Sequence, residues 1–372
     1  MSLPVKSRAA VLTAYNQPHE MRELAIPELV PNAILVRVES TTVCGTDVHQ
    51  WRGDYSSLTR PPIIQGHEIV GRVVALGRGR EQDTIGNRLA EGDRISWTYA
   101  FCNNCYYCRV AREPTLCVRR RMYGWLCCED FPHLMGGYAE YAYVLPECDV
   151  VKVPDSIPST LAAASSCSLR TAVHGLERIG GIATQETVVV QGAGPVGLWS
   201  TVMAAEAGAG EVITIGAPAS RLELAAQWGA SRTINIEQIT SPVERMERVM
   251  EWTQGRGADV VIEAAGVPAA LSEALGMVRR GGRVLVMGLA ANEAPVTIPS
   301  GAIATKHLRV TGVVSGYFPH YYRALRFLET HLAKYPFERL ISNTYSLGNA
   351  TEAIRAMAAM RELKPVINPG TI

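Results

Sequence analysis

The chain has 372 residues, more than one typical domain contains, so its length predicts two domains. Hydrophobic residues make up 47% of the chain and charged residues 19%, as in globular proteins with sizeable cores. The formal net charge is +1, which argues against nucleic acid or an anionic membrane as a general partner.

Short β-type runs separated by turn residues occupy the first part of the chain. They lie at residues 9–12, 34–38, 68–76 and 93–97. Pro27 and Pro31 exclude a continuous helix between the first two runs. The polar stretch at 77–92 contains four glycines and predicts a long surface loop. This pattern predicts a small β-rich domain.

Two short motifs in this part carry the chemistry of a metal site. Residues 44–49 read Cys-Gly-Thr-Asp-Val-His, and residues 66–68 read Gly-His-Glu. Cys44 and His67 offer a thiolate and an imidazole, the ligand types that Zn²⁺ prefers, and Cys167 is the candidate third ligand. Taken singly, each would more often be a buried thiol or a structural histidine. Together they predict a catalytic zinc site, which has three protein ligands and one open position.

Four further cysteines lie within sixteen residues, in the pattern Cys-x2-Cys-x2-Cys-x8-Cys. They are Cys102, Cys105, Cys108 and Cys117. Such a set closes a tetrahedral all-thiolate shell around one ion, which favours a structural zinc site. Disulfides and an iron–sulfur cluster are the alternatives. Cys127, Cys128 and Cys148 fall outside any ligand spacing and are predicted to be buried apolar residues.

The cysteine usage also indicates a cellular compartment. The spacing of the nine cysteines favours metal binding over a disulfide framework, which suits a reducing environment. No signal peptide is recognisable at 1–15, and the longest apolar stretch, 193–205, is too short to span a bilayer. We therefore expect a cytoplasmic protein with no membrane partner.

A glycine-rich turn follows the continuous apolar strand predicted at 187–191. The pattern Gly-x-Gly-x-x-Gly between a strand and a helix is typical of dinucleotide binding. Its glycines make the turn, let a pyrophosphate approach the backbone and let helix and strand pack closely. The helix N-terminus adds free N–H groups for phosphate. The candidate cofactor contacts are Gly192, Gly194, Pro195, Val196 and Gly197.

Strand and helix patterns then alternate through the rest of this region. Strands are predicted at 212–215, 259–263 and 283–288, and helices at 220–229 and 268–280. Apolar strands alternating with helices predict a parallel sheet covered on both faces. Two further helices are predicted at 320–333 and 350–360, in a tail that is too short to form a domain alone.

These motifs, in this order, resemble the zinc-dependent medium-chain dehydrogenases/reductases related to alcohol and polyol dehydrogenases. The resemblance covers nearly the whole chain. It implies an α/β fold, with a Rossmann doubly wound parallel sheet plus a β-rich GroES-like catalytic domain. The implied boundaries are 1–168 for the GroES-like catalytic domain with a structural-zinc lobe at about 97–120, 169–314 for the Rossmann dinucleotide-binding domain, and 315–372 for a C-terminal segment that returns to the catalytic domain.

The resemblance also assigns roles to matching residues. Cys44, His67 and Cys167 would bind the catalytic zinc, with Glu68 as a transient ligand, and Cys102, Cys105, Cys108 and Cys117 the structural zinc. Asp47 would orient His67. Thr46 and His49 match a proton relay, Thr171 a residue near the nicotinamide, and Lys364 a basic residue that meets the pyrophosphate.

The implied function is a zinc-dependent oxidoreductase. It would transfer hydride between a secondary alcohol or polyol, or the matching ketone, and NAD or NADP, with two zinc ions per chain. The expected partners are a small-molecule substrate and other copies of the chain, as a homodimer or homotetramer. Two alternatives are a zinc-free enone or quinone reductase on the same fold and a non-catalytic cofactor-binding homologue. Neither explains why the ligand set is intact.

The chain departs from the family pattern in several places. Gly216 stands where an NAD enzyme carries a carboxylate for the adenosine ribose. Ser220 and Arg221 follow it and are candidates to bind a 2′-phosphate, so NADP is expected to be accepted; Arg221 would otherwise cover the adenine or cap its helix. The segments 77–92 and 119–137 are longer than usual and shape either a pocket entrance or a subunit contact. Four residues near the motifs either line the substrate pocket or pack in the core: Trp51, Tyr55, Thr98 and Tyr99.

Overall fold

A computed structural model of the chain describes residues 4–288 and 295–370, which form two units. The first, here called the β unit, contains the described residues up to Cys167, Gly316–Leu332 and those from Phe337 onward. The second, the α/β unit, contains Ser168–Ser315 and Ala333–Pro336. Each has its own apolar core.

Most strands of the β unit lie in the first part of the chain. In chain order these elements are β1 (Lys6–Leu12), β2 (Glu20–Ala25), β3 (Ile34–Thr42), α1 (Gly45–Arg52), β4 (Ile63–Ile64), β5 (Ile69–Leu76), β6 (Arg94–Trp97), α2 (Tyr106–Arg109), β7 (Tyr141–Val144), β8 (Val150–Lys152) and α3 (Ser159–Ser165). The chain then enters the α/β unit with α4 (Ser168–Arg178), β9 (Thr187–Gln191), α5 (Pro195–Glu206), β10 (Glu211–Gly216), α6 (Ala219–Gln227), β11 (Arg232–Asn235), α7 (Pro242–Trp252), β12 (Ala258–Glu263), α8 (Pro268–Met277), β13 (Val278–Val286), α9 (Ser300–Thr305) and β14 (Arg309–Gly312). It returns to the β unit with α10 (Phe318–His331), β15 (Thr344–Ser346), α11 (Ala350–Ala358) and β16 (Val366–Asn368).

The described residues of the β unit form two sheets. The larger has the order β15-β16-β3-β5-β6-β8, with β7 also paired to β3, and the smaller has the order β2-β1-β4. Near the C-terminus, β16 runs antiparallel to β3, and the backbone N–H of Val43 donates to the carbonyl of Pro365 at 2.9 Å. This pairing brings the residues just before β16 next to the chain that enters the 44–49 motif.

In the α/β unit, the residues that the structure describes form one six-stranded parallel sheet, with the order β11-β10-β9-β12-β13-β14. Its central strands β9 and β12 are buried at every residue, which explains the apolar runs 188–190 and 260–262 at their centres. The α/β fold with a doubly wound parallel sheet is therefore confirmed.

The predicted boundary between α8 and β13 is wrong. The helix ends at Met277 rather than at residue 280, and the strand begins at Val278 rather than at 283. Val278 has extended backbone angles and pairs with Ala258. Gly281 has a φ of +70° and lies inside the strand, where the register shifts, so the glycines mark an irregularity in β13 instead of a helix end.

The sequence patterns did not predict α1, on which the 44–49 motif lies, because its residues lack apolar periodicity. The helices that were predicted are all present, and their ends differ from the predicted ends by a few residues. Among the described residues, none of the helices is both long enough and apolar enough to cross a membrane.

Candidate functional site

The 44–49 motif forms the N-terminal end of α1. Cys44 precedes the helix in an extended conformation, and its carbonyl accepts the backbone N–H of Asp47 at 3.0 Å. In return, Oδ2 of Asp47 accepts the backbone N–H of Cys44 at 2.8 Å. This reciprocal pair closes the first turn and fixes the backbone that carries the Cys44 thiol.

The same carboxylate also holds the second motif. Oδ1 of Asp47 accepts the backbone N–H of Gly66 at 3.1 Å and lies 3.6 Å from Nδ1 of His67. Gly66 has a φ of +85°, and a Cβ there would lie 2.6 Å from the ring of Tyr138, so only glycine fits. One fully buried carboxylate thus joins both loops and places His67 against Cys44.

Four predicted ligands converge within the β unit. The ligand atoms of Cys44, His67, Glu68 and Cys167 all lie within 4.8 Å of one another. His67 and Glu68 are buried, while the two cysteines are half-buried. Cys167 reaches this place because α3 ends just before it.

The chemistry of these donors fits a zinc ion. Two thiols and one imidazole are the soft and borderline ligands that Zn²⁺ selects, and Zn–S and Zn–N bonds of about 2.0–2.3 Å require them to approach this closely. A hydrogen bond with the Cys167 thiol lowers the pKa of Cys44 well below its usual range. Burial lowers the pKa of His67, but Tyr99 and Asp47 more than offset this effect and raise it. The set therefore already favours a thiolate at Cys44.

Glu68 has two buried partners that no motif predicts. Nζ of Lys364 lies 2.7 Å from Oε1 and 2.5 Å from Oε2 of Glu68, and the hydroxyl of Thr42 donates to Oε2. Glu68 is 0% and Lys364 1% exposed. Burial raises the pKa of Glu68, whereas the ammonium of Lys364 opposes that shift. The structure gives Lys364 a carboxylate partner, and its contact with a pyrophosphate stays a prediction.

The four cysteines of the 102–117 pattern also form one cluster. Their sulfur atoms lie 3.6 Å apart between Cys105 and Cys108, 4.0 Å between Cys105 and Cys117, and 3.4 Å between Cys117 and Cys102. A tetrahedral ion with Zn–S bonds of about 2.3 Å would separate its sulfurs by about 3.8 Å. The cluster therefore fits one ion, and none of the nine cysteines forms a disulfide. Of the three other cysteines, Cys128 and Cys148 are buried, but Cys127 is only half-buried.

His49, on α1, has a fixed orientation. Its Nδ1 lies 2.6 Å from Oδ2 of Asp54, and 28% of its side chain is exposed. Thr46 is half-buried on the first turn of the same helix. Asp54 thus leaves Nε2 of His49 as the nitrogen that is available for proton exchange.

The glycine turn of the α/β unit lies between β9 and α5. Gly192 has a φ of +109°, and a Cβ there would lie 2.8 Å from the carbonyl carbon of Ala264. A Cβ on Gly197 would lie 1.8 Å from the carbonyl oxygen of Gly192, whereas one on Gly194 would meet nothing within 4 Å. The space next to Gly194, just before Pro195 and Val196 begin α5, is therefore open to a phosphate group among the described residues.

The residues predicted to select the cofactor lie near the end of β10. Gly216 is its last residue, and a Cβ there would lie 2.8 Å from the backbone nitrogen of Ala193. Ser220 is exposed and Arg221 half-buried on α6, and burial lowers the pKa of Arg221. Thr171 is buried on α4. A carboxylate cannot replace Gly216 unless the glycine turn shifts.

Of the four residues predicted either to line the pocket or to pack, two contact residues of the predicted site. Trp51 donates to the carbonyl of Gln17, and Thr98 bonds to the backbone of Tyr99 and Asp149. Both therefore have structural contacts. Tyr99 borders a narrow cavity that His67 also lines. Tyr55 contacts the ring of His49.

Sequence reasoning missed Thr42, Asp54 and Lys364 as partners of site residues. Thr42 belongs to no motif, and Asp54 lies beyond the end of the first one. The one signal for Asp54 is its position five residues after His49, from which its carboxylate reaches the imidazole at the end of the helix.

Known proteins resemble this chain over nearly its full length. Residues 30–155 match the alcohol dehydrogenase GroES-like domain, and residues 195–330 match the zinc-binding dehydrogenase domain. A 5-exo-hydroxycamphor dehydrogenase from Pseudomonas putida is 34% identical, over 97% of this chain and 98% of that protein. An alcohol dehydrogenase structure from Thermotoga maritima has a TM-score of 0.92 and 35% identity, covering 98% of this chain and 100% of that one. A zinc-binding dehydrogenase structure from Sinorhizobium meliloti, bound to NADP, has a TM-score of 0.83 and 29% identity, covering 98% and 99%.

Proposed function

We propose that Cys44, His67 and Cys167 hold a catalytic zinc ion, because the chain belongs to the zinc-dependent medium-chain dehydrogenases/reductases. It is a zinc-dependent oxidoreductase that transfers hydride between a secondary alcohol or polyol, or the matching ketone, and NAD(P). The observation that carries the assignment of residues is the convergence of the four ligand atoms within 4.8 Å.

The chain's own groups suit this chemistry. When bound, zinc supplies a Lewis acid that lowers the pKa of an alcohol hydroxyl and polarises a carbonyl. Cys44 and Cys167 as thiolates, with neutral His67, balance the charge of a divalent ion. Asp47 orients His67, and Lys364 holds Glu68 beside the site. We propose that the Thr46 hydroxyl passes the substrate proton onward and that Nε2 of His49 releases it to solvent.

The cysteine lobe supplies the second metal site of the proposal. Cys102, Cys105, Cys108 and Cys117 complete a four-thiolate set, which leaves no open position for a substrate, so its zinc is structural. We also propose that the protein is cytoplasmic, because both zinc sites require reduced thiols.

We further propose that NADP is accepted, through Ser220 and Arg221. The support is Gly216, which removes the carboxylate that would repel a 2′-phosphate. Replacing Arg221 with alanine is expected to lower kcat/KM for NADP about tenfold or more relative to NAD, since a hydrogen bond to a charged group contributes about 1.5–3 kcal/mol. Steady-state kinetics with one alcohol measure the ratio, and Arg248→Ala on the exposed face of α7 is the control. A native enzyme that strongly prefers NAD would contradict the proposal.

The homo-oligomer proposal rests on β14. This strand lies at the edge of the described parallel sheet, and Val310 within it is 42% exposed. Exposed edge strands pair readily with another chain, so we infer that two copies form a homodimer by pairing along β14. A homotetramer would contain two such dimers. Val310→Lys is expected to shift sedimentation from dimer or tetramer toward monomer, with Val243→Lys, an exposed site on α7, as the control. A native chain that sediments as a monomer would refute the inference.

A further inference from the structure

A half-buried histidine that belongs to no motif is bonded at both ring nitrogens. His19 lies directly before β2, and its Nε2 is 2.8 Å from Oε1 of Gln65. Its Nδ1 is 2.8 Å from the hydroxyl oxygen of Thr351 on α11, which also accepts the backbone N–H of His19 at 2.8 Å. The imidazole therefore joins the turn before β2, the residue just before the Gly-His-Glu motif and α11.

Gln65 carries this connection to the first turn of α1. Its side chain is fully buried, and its amide nitrogen donates to the backbone carbonyl of Asp47 at 2.9 Å and to Oε1 of Gln50 at 3.2 Å. The carboxylate of Asp47 is the group that holds both motif loops. His19 is thus two hydrogen bonds away from the residue that orients His67.

The bonds of this network agree with one arrangement of hydrogens. The amide nitrogen of Gln65 must face Asp47 and Gln50, because both of its partners there are acceptor oxygens. Oε1 of Gln65 therefore faces His19, and the hydrogen between them belongs to Nε2 of the imidazole. Burial lowers the pKa of His19 to about 4, so the ring is neutral near pH 7 and its Nδ1 accepts the hydroxyl of Thr351.

The turn that leads to this histidine also holds the other end of α1. The backbone N–H of Asn16 donates to the carbonyl of Trp51 at 2.7 Å, and the Asn16 amide donates to the carbonyl of Arg52 at 3.2 Å. The indole nitrogen of Trp51 donates to the carbonyl of Gln17 at 2.8 Å. The two carbonyls of α1 are among those that a helix end leaves without partners inside the helix. The turn is therefore attached to both ends of α1, since the imidazole network reaches its first turn.

These contacts bear on the ligands of the proposed catalytic zinc ion. Groups that orient metal ligands from outside affect metal affinity, typically by 10- to 100-fold when they are lost. Without the hydrogen from His19, the buried oxygen of Gln65 has no donor on that side, and a buried acceptor is unfavourable without one. The amide then gains by turning toward another donor, which breaks its bond to Asp47.

We propose that His19 is a positioning residue of the catalytic zinc site and acts through Gln65, whose amide it holds in the orientation that bonds the backbone of Asp47. Its loss is expected to make the catalytic zinc ion dissociate faster and to leave the zinc of the cysteine lobe unchanged. This rests on the proposed function, which assigns the ligands of the catalytic ion.

The test follows the release of zinc from the purified, zinc-loaded protein to a chromogenic chelator. The phase that is absent from Cys44→Ala identifies the catalytic ion, and the phase of the cysteine lobe is a reference within the same molecule. His19→Phe keeps an aromatic ring beside Tyr138, 6.0 Å away in the native protein, but removes both ring nitrogens. It is expected to speed the catalytic phase about tenfold or more. His19→Gln keeps a donor for Gln65 without the ring and is expected to restore a rate close to the native one.

A double variant tests whether the effect passes through the amide. Gln65→Met removes the bond to Asp47 and should speed the catalytic phase at least as much as His19→Phe. The two substitutions together should be no faster than Gln65→Met alone, because they break the same connection. His331→Phe, at a half-buried histidine of α10 whose ring bonds to the carbonyl of Phe327, is the matched control and should keep both native rates.

The outcomes separate this inference from the proposed function. Native release rates for both ions in His19→Phe would overturn the inference, and so would faster release of both, because His19 would then support the fold in general. Effects that multiply in the double variant would also overturn it. A native protein that releases zinc in a single phase, unchanged by Cys44→Ala, would refute the proposed function and this inference with it.

Discussion

Replacing Cys44 with alanine is expected to lower kcat/KM for alcohol oxidation by about a thousandfold or more. Loss of one thiolate removes a ligand from the proposed catalytic zinc site, and a Lewis acid contributes several kcal/mol of stabilisation, with tenfold in rate for each ~1.4 kcal/mol. The fold should persist, because alanine keeps the backbone N–H that Asp47 accepts. Steady-state kinetics with a secondary alcohol at saturating NAD(P) measure the loss.

The matched control for this variant is Cys127→Ala. Cys127 is a half-buried cysteine of the β unit that belongs to neither ligand set. Its replacement should leave kcat/KM within a few-fold of the native value. If Cys44→Ala oxidised alcohols as well as the control, Cys44 would not be a ligand of the catalytic ion.

Replacing Lys364 with methionine is expected to destabilise the β unit by about 3–5 kcal/mol, because removal of one partner leaves the other charge buried and uncompensated. Glu68 and Lys364 are 0% and 1% exposed, so no solvent replaces the lost ammonium. Methionine has a similar length and keeps the packing of the stem. Urea denaturation of the zinc-loaded protein, followed by the fluorescence of its tryptophans, measures the change in midpoint.

Two further variants separate charge from packing. Lys334→Met removes an exposed lysine that is paired with Glu206, and stability should hardly change because solvent screens that pair. Adding Glu68→Gln to Lys364→Met should recover a large part of the loss, since the remaining side chain is then neutral. A single variant as stable as the native protein would show that the buried pair makes no net contribution.

Much of the site could be predicted because its motifs are local. Cys44, Thr46, Asp47 and His49 lie within six residues, and the glycines of the 192–197 turn are read directly from their spacing. The alternation of strands and helices after residue 187 follows from periodicity, so the parallel sheet was also predictable. The other two proposed ligands, His67 and Cys167, could be named only because each lies in a recognisable sequence context.

Contacts between distant parts of the chain were beyond prediction. Lys364 and Glu68 are 296 positions apart and meet only because β16 pairs with β3. His19 meets Gln65 and Thr351, which are 46 and 332 positions away, through side-chain bonds that leave no pattern in the sequence. A glycine such as Gly281 can end a helix or interrupt the regular pairing of a strand. The sequence does not distinguish these two roles, because the pairing with neighbouring strands determines which one applies.

The two alternative functions differ from the proposal in their metal content. A zinc-free enone or quinone reductase has no use for three converging ligands, and a non-catalytic homologue has no reason to keep His49 bonded to Asp54 beside them. Both alternatives leave the cysteine lobe filled. The number of ions per chain therefore separates them from the dehydrogenase.

The most direct test is the zinc content of the purified protein by mass spectrometry, before and after Cys44→Ala. The proposal of a catalytic and a structural site predicts two zinc ions in the native chain and one in the variant, with alcohol oxidation lost alongside the missing ion. One zinc ion per chain, unchanged by the substitution, would mean that only the cysteine lobe binds metal, and it would contradict the proposed catalytic zinc site.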